Sequence, residues 1–272
     1  MRSQLPALRQ VLSLFRRPTG PVQEGFEARS VRHRYGPVEL ELHIGDDTGA
    51  LWYDEDWPDV PELKFLPRYQ TRPGATVFDL GAHQGVYALM LADAVRPRGR
   101  VIAVEANRFN VDVLRENRRR NRVRNVVAVH AAVADRPGRI SFGRGGNGQV
   151  DTGGLFEDST SVPAVTIDHL SRRYGRPAMI FIDIEGYECH ALRAAGETLR
   201  TRPDVFIEVH VGVGLETFGG SVEELVGFFP DSDYELFASN ELDRYPKPFV
   251  GERRELAGDR FYLTAIARDP PT

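Results

Sequence analysis

The chain has 272 residues, 41% of them hydrophobic and 27% charged, with a formal net charge of −4. That length suits one main domain with a sizeable core, and the near-balanced charge excludes a global field drawing the protein to nucleic acid or membrane. The single cysteine, Cys189, excludes an intrachain disulfide and suits a cytoplasmic location, and no apolar run approaches the roughly 20 residues that span a bilayer.

The opening segment places Leu5, Leu8, Val11, Leu12 and Phe15 on one helical stripe, with Arg2, Arg9, Arg16 and Arg17 around it. The pattern predicts an amphipathic helix packed on its own domain or on a second copy of the chain, with membrane-surface binding as an alternative. From Ala28 to Trp57 the text is β-like: 30–33 and 38–43 alternate polar with apolar about a Tyr35-Gly36-Pro37 turn, which predicts a hairpin. Residues 1–70 therefore read as an extension, a cap or an oligomer contact, before a main domain at 71–272. Trp52, Tyr53 and Trp57 are either a satellite cluster or the wall of a substrate pocket.

The main domain opens with ATVFDLGAHQGVYALMLA (75–92), an apolar run ending on Asp79, a turn through Gly81 and Gly85, and a helix. Buried strands follow at 100–105, 125–130, 178–182 and 204–210, interleaved with helices at 110–120 and 187–199. Short strands are expected at 139–142 and, as a sheet edge, at 161–165, with a helix from Thr166 or Asp168 through Arg173. Residues 221–229 read as a helix with Ser221 and Glu224 as a capping box, and 234–238 with 261–267 as an antiparallel pair completing the sheet. The basic run 118–120 reads as a solvated helix end favouring its own dipole. The glycine-rich stretch 143–154 reads as a loop without regular structure, either plain surface or a lid.

In a parallel sheet, ligands bind beyond the carboxyl ends of the strands, so the turn after Asp79 is the first place to seek chemistry. A dinucleotide site wants glycines at i, i+2 and i+5, whereas Gly81 and Gly85 are four apart with His83 between them. Asp79 would repel a pyrophosphate and attract the ammonium and sulfonium of S-adenosylmethionine. Glu105, ending the next strand, suits ribose hydroxyls of either cofactor. Asp183, Glu185, Glu208 and His210 end two further strands and would converge on the same cleft.

Together VFDLGAHQG (77–85), VEAN (104–107), FIDIEGYE (181–188) and FIEVH (206–210) resemble the FkbM family of S-adenosylmethionine-dependent methyltransferases. The resemblance implies an α/β, three-layer, Rossmann-like class I methyltransferase fold: a mostly parallel seven-stranded sheet with one antiparallel strand, here carrying the N-terminal helix and hairpin extension. It implies transfer of methyl from S-adenosylmethionine, most often to hydroxyl groups of secondary metabolites, sugars or glycolipids. Carried over by motif, Asp79, Gly81 and Gly85 would hold the methionine part, Glu105 the ribose, and Ala106 and Asn107 the adenosine edge. Ala82, His83, Ala132 and Asp183 complete the expected cofactor contacts, His83 standing where such families more often carry Asn.

His210 is the first candidate base for an alcohol acceptor, with Asp183 second and Glu208 beside them; a partly buried histidine capping its strand is the alternative reading. Trp52, Tyr53 and Glu185 are expected to meet the substrate, a small molecule rather than nucleic acid. A divalent cation on Asp183, Glu208 and His210 is an alternative that is not favoured, because the acidic motif can act through hydrogen bonds alone. An NAD-dependent oxidoreductase and a non-catalytic nucleoside-binding module are the competing functions.

Overall fold

The computed structural model describes residues 20–60, 63, 71–143, 148–151, 159–212, 214–240, 245–249 and 260–268. The expected N-terminal helix and most of the glycine-rich stretch lie outside them. Strands β1 (Arg29–Tyr35) and β2 (Val38–Ile44) form the expected hairpin, in register from Arg29 opposite Ile44 to Tyr35 opposite Val38. The β-like reading up to Trp57 is corrected beyond it: helix α1 (Asp47–Tyr53) follows, because the Asp46 carboxylate accepts from the Gly49 N–H at 2.9 Å and starts a helical turn. Trp52 and Tyr53 thus sit on a helix.

In the main domain come β3 (Thr76–Leu80), α2 (Val86–Val95), β4 (Arg100–Glu105), α3 (Arg108–Arg120) and β5 (Val126–His130). They are followed by β6 (Ala132–Val133), β7 (Gly138–Gly143), β8 (Gln149–Val150), β9 (Ser159–Val165), α4 (Ile167–Tyr174) and β10 (Met179–Ile182). The last elements are α5 (Glu188–Arg193), α6 (Gly196–Leu199), β11 (Asp204–Val209), α7 (Val222–Gly227), β12 (Tyr234–Ser239), β13 (Lys247–Pro248) and β14 (Phe261–Ala267).

The large sheet has the order β13-β12-β14-β11-β10-β3-β4-β5. The strands from β11 to β5 are parallel, and β14 runs antiparallel between β11 and β12. The expected α/β architecture is therefore present, with the two-residue β13 added at one edge. Side-chain alternation splits the strands between two layers. Phe78, Leu80, Ile102, Val104, Ile180 and Ile182 pack under α4, α5 and α7. Val77, Val101, Ala103, Met179 and Phe181 face α2 and the hairpin.

Several local expectations change. Residues 161–165 are not a sheet edge: β9 is interior to a separate four-stranded sheet, β6-β9-β7-β8. Within the glycine-rich stretch, Val150 and Gln149 pair with Phe142 and Gly143, so part of it has regular structure. The helix expected over 187–199 breaks in two, because the Asp168 carboxylate takes the N–H groups of Glu197 at 3.0 Å and Thr198 at 2.8 Å and starts α6 separately. Only half the capping box forms: Ser221 Oγ accepts from the Glu224 N–H at 3.1 Å, while the Glu224 carboxylate pairs with Arg193 at 2.6 Å.

The basic end of α3 is not wholly solvated. The Arg120 side chain is 9% exposed, pairs with Glu116 at 2.7 Å and Glu41 at 3.2 Å, and so joins the helix to the hairpin. Asn121 accepts from the Glu41 N–H and Asn117 from the His43 N–H, at 2.9 and 2.7 Å, which satisfies part of the backbone that β2 presents toward the helix.

Candidate functional site

A cavity of about 470 Å³ opens at the carboxyl ends of β3, β4, β10 and β11. Its floor is the turn after β3. Gly81 has φ +89, and a Cβ there would lie 1.6 Å from the Asp183 carbonyl oxygen, so only glycine allows the β3 and β10 turns to touch. The peptide network continues through Gly81 N–H to Val104 O and Asp183 N–H to Leu80 O, both 2.9 Å. These contacts bring the ends of three strands within reach of one ligand.

Asp79 is 1% exposed, and its Oδ2 has no hydrogen-bond partner among the described residues. Burial, then the charge of Glu105, lifts its carboxyl to about 7. Glu105 is likewise lifted to about 7 by burial, although it accepts from the Asn107 N–H at 2.6 Å and the His83 N–H at 2.9 Å. Two buried carboxyls with few countercharges make a floor suited to a cationic ligand that also carries hydrogen-bond donors.

His83 lies in the left-handed region, φ +45, and joins this floor to α1. Its Nδ1 is 2.8 Å from the Tyr53 hydroxyl, and burial lowers its imidazole to about 4. Burial, together with Asp183, Glu105 and Asp79, holds the Tyr53 phenol well above its ordinary value. The Tyr53 hydroxyl therefore donates a hydrogen bond to Nδ1 of the neutral imidazole. Gln84 makes a second tie, its Nε2 donating to Asp46 Oδ1 at 2.8 Å.

Aromatic rings form the upper wall. Trp57 lies 5.7 Å from Tyr87, and Tyr87 stacks on Phe181 at 5.0 Å. Trp52 stands 5.3 Å from His83. Ala106, Ala132, Phe142 and Val150 make an apolar patch on the side of β4.

At the far end Asp183, Glu185 and Glu208 line the cavity together with Arg260, whose Nη1 is 3.1 Å from Glu208 Oε1. Burial, and next the Glu208 charge, raises the Asp183 carboxyl well above the carboxylate range. His210 is not among the lining residues. It is 3% exposed, with Nδ1 donating to Glu188 Oε1 at 2.9 Å and Nε2 turned toward Asp183, Glu185 and Glu208. Burial alone would lower its imidazole, but the Glu188 hydrogen bond and the surrounding carboxylates outweigh it and lift it to about 9.

The structure thus brings Trp52, Tyr53, Asp79, Gly81, Ala82, His83, Glu105, Ala106, Ala132, Asp183, Glu185 and Glu208 around one cavity. Gly85, Asn107 and His210 lie outside the lining. A Cβ on Gly85 would meet Leu114 Cγ at 2.6 Å, and Asn107 Oδ1 caps α3 through the Phe109 N–H at 2.9 Å. The lining residues Tyr87, Phe181, Tyr262 and Arg260 were not singled out from sequence. Tyr87 is legible afterwards as the second residue of α2; Arg260 immediately precedes β14 and carried no local signal.

A family model described as the methyltransferase FkbM domain matches residues 79–236. No curated protein matches the chain. Among solved structures, precorrin-6y C5,15-methyltransferase from Geobacter metallireducens GS-15 is 13% identical, with 77% of this chain and 87% of that one covered and a TM-score of 0.45. TYW2 from M. jannaschii in complex with AdoMet is 14% identical, with 88% and 84% covered and a TM-score of 0.45. A SAM-dependent methyltransferase from Aquifex aeolicus is 14% identical, with 82% and 93% covered and a TM-score of 0.42. At that distance these neighbours assign no residue and no substrate here.

Proposed function

The chain belongs to the FkbM methyltransferase family, whose methyl donor is S-adenosylmethionine, and from that premise we propose that it methylates a hydroxyl oxygen of a small acceptor such as a secondary metabolite, sugar or glycolipid. The observation that carries the proposal is a single cavity with buried carboxyls at the cofactor turn, a second acidic group opposite, and aromatic rings between them.

In this reading Asp79, whose Oδ2 has no hydrogen-bond partner among the described residues, faces the methionine ammonium, and Glu105 accepts from the ribose hydroxyls. Ala106, Ala132, Phe142 and Val150 cover the adenine. The rings of Trp52, Tyr53 and Trp57 hold the acceptor, so that its oxygen meets the methyl carbon in line with the departing sulfur. Such alignment is worth about 7–11 kcal/mol in favourable intramolecular cases. The C–O bond forms as the C–S bond breaks, and the sulfur keeps the electron pair.

The hydroxyl proton passes to the carboxylate of Asp183 or Glu208 at the acidic end. Asp183 and Glu208 border the cavity, and His210 acts on it only through them. The test is transfer of labelled methyl to a panel of hydroxylated acceptors, sugars and polyketide alcohols included, with the product's methyl located by NMR. An O-methyl product is expected. Methylation at nitrogen only would reject the acceptor class, and tight binding of NAD without S-adenosylmethionine would reject the reading.

A further inference from the structure

Beyond β10 the chain turns sharply through 183–186, Glu185 at φ +54 and Gly186 at φ +97. This turn lays the carboxylates of Asp183 and Glu185 against the end of β11, where His210 follows. The imidazole is fixed from behind: Nδ1 donates to Glu188 Oε1 at 2.9 Å, and that oxygen also accepts from the Gly186 N–H at 2.9 Å. Glu188 is fully buried, so ring and carboxylate hold one orientation. Nε2 consequently points at the two acids.

The separations on that side decide what the cluster is built for. Nε2 is 3.4 Å from Glu185 Oε2 and 3.8 Å from Asp183 Oδ1. Both exceed the roughly 2.7–3.2 Å of an N–H···O bond. Two ligands each about 2.0–2.2 Å from one metal ion, at octahedral to tetrahedral angles, stand roughly 2.8–3.6 Å apart. One ligand atom from each of Asp183, Glu185 and His210 lies within 4.8 Å of the others. Both separations are loose for direct bonding; that to Glu185 falls within the range of ligands sharing an ion, and that to Asp183 lies slightly beyond it. A carboxylate holding the far nitrogen of a histidine is also how metal-binding imidazoles are oriented.

We propose that Asp183, Glu185 and His210 bind a divalent first-row cation, of which Mn²⁺ and Zn²⁺ are the probes. One imidazole with two carboxylates suits these ions better than the all-oxygen shell of Ca²⁺ or Mg²⁺. The set differs from the sequence alternative, in which Glu208 stood where Glu185 now does. Glu208 Oε1 stands as far from Nε2 as Asp183 Oδ1 does, at 3.8 Å, but it is engaged by the Arg260 guanidinium, a competing cation, at 3.1 Å. Both acids border the cavity, so an acceptor hydroxyl can reach the cation, which makes its oxygen easier to deprotonate. This use of the ion rests on the methyl-transfer reading; binding of the ion does not.

The test takes the full chain, stripped with chelator and dialysed, and titrates it with MnCl₂ or ZnSO₄ in a calorimeter, with Mn²⁺ paramagnetic resonance as a second readout. One ion per chain is expected. Glu185→Gln removes a ligand and should abolish saturable binding, whereas Glu188→Gln leaves all three ligands and should weaken it by roughly 10–100-fold. Calorimetric binding of S-adenosylmethionine by each variant shows that it is folded. Absence of Mn²⁺ and Zn²⁺ binding below millimolar concentration, or unchanged binding in Glu185→Gln, overturns the proposal. Methyl transfer that persists in chelator alongside absent ion binding sinks the metal site and leaves the function standing; ion binding without methyl transfer does the reverse.

Discussion

Glu105 shows how one carboxylate can serve the backbone and a ligand together. Its two oxygens accept from the N–H groups of Asn107 and His83, which holds the side chain rigid at the cavity floor. Hydrogen bonds to a charged acceptor contribute about 1.5–3 kcal/mol each, so Glu105→Gln should weaken S-adenosylmethionine by roughly 10–100-fold with the circular dichroism unchanged. An affinity within threefold of the natural chain would remove Glu105 from the ribose site. His83 invites a different substitution. Its side chain is neutral and its φ is positive, a conformation asparagine tolerates. His83→Asn should therefore preserve the fold and the hydrogen bond from the backbone N–H to Glu105 while losing the contact to Tyr53, detectable as a drop in melting temperature of a few degrees. At this scale Asp79, Glu105, Asp183 and Glu208 were legible because each is an acid closing an apolar run. Tyr87, Phe181, Tyr262 and Arg260 were not, because nothing in their neighbours distinguishes a ring or a guanidinium facing a cavity from one packed elsewhere.

Among the elements, the β3 turn and helix α1 depend on each other. The turn is held below by Gly81 against the Asp183 carbonyl and above by two side-chain bonds to α1, Tyr53 to His83 and Gln84 to Asp46. Gly81→Ala combines an atom overlap with backbone and a positive φ, and should cost at least about 3 kcal/mol, or yield no folded protein, in urea denaturation. Tyr53→Phe leaves the ring in place and removes only the hydroxyl; a loss of about 1 kcal/mol is expected, with weaker cofactor binding because His83 loses its anchor. Strand and helix positions in the main domain followed from apolar runs and spacing. The elements missed had their causes at a distance in the chain: α6 starts on Asp168, which lies 29 residues from Glu197, and Gln149–Val150 becomes a strand only because Phe142 and Gly143 lie beside it.

For the molecule as a whole, two buried carboxyls at the floor tie stability to pH. Asp79 and Glu105 are raised to about 7 from ordinary values of 3.8 and 4.5. Between those limits the folded chain keeps protons that the unfolded chain has released, so their contribution to stability is full below about pH 4 and is lost as pH rises through 7. S-adenosylmethionine brings positive charge to the ionised pair, and its binding should therefore tighten over the same window. Thermal unfolding should show a larger cofactor-induced shift at pH 8 than at pH 6, and Glu105→Gln should flatten that difference; an opposite slope would refute the assignment of the pair to the cofactor.

Sequence by itself determined the alternation of strands and helices, the strand ends that carry acids, the glycine spacing that disfavours a pyrophosphate, and the family motifs. Each of these is local: a run of apolar residues, a turn, or a residue at a fixed offset from one. Only the tertiary structure decided which of those acids share a space. It set His210 behind Asp183, Glu185 and Glu208 with Glu188 at its back, and it brought Tyr53 at the end of α1 onto His83. Pairing of β3 with β10, and of β10 with β11, made these neighbours out of residues far apart in the chain. Sheet order and the burial that shifts each ionisation belong to the packed molecule, and no stretch of sequence contains them.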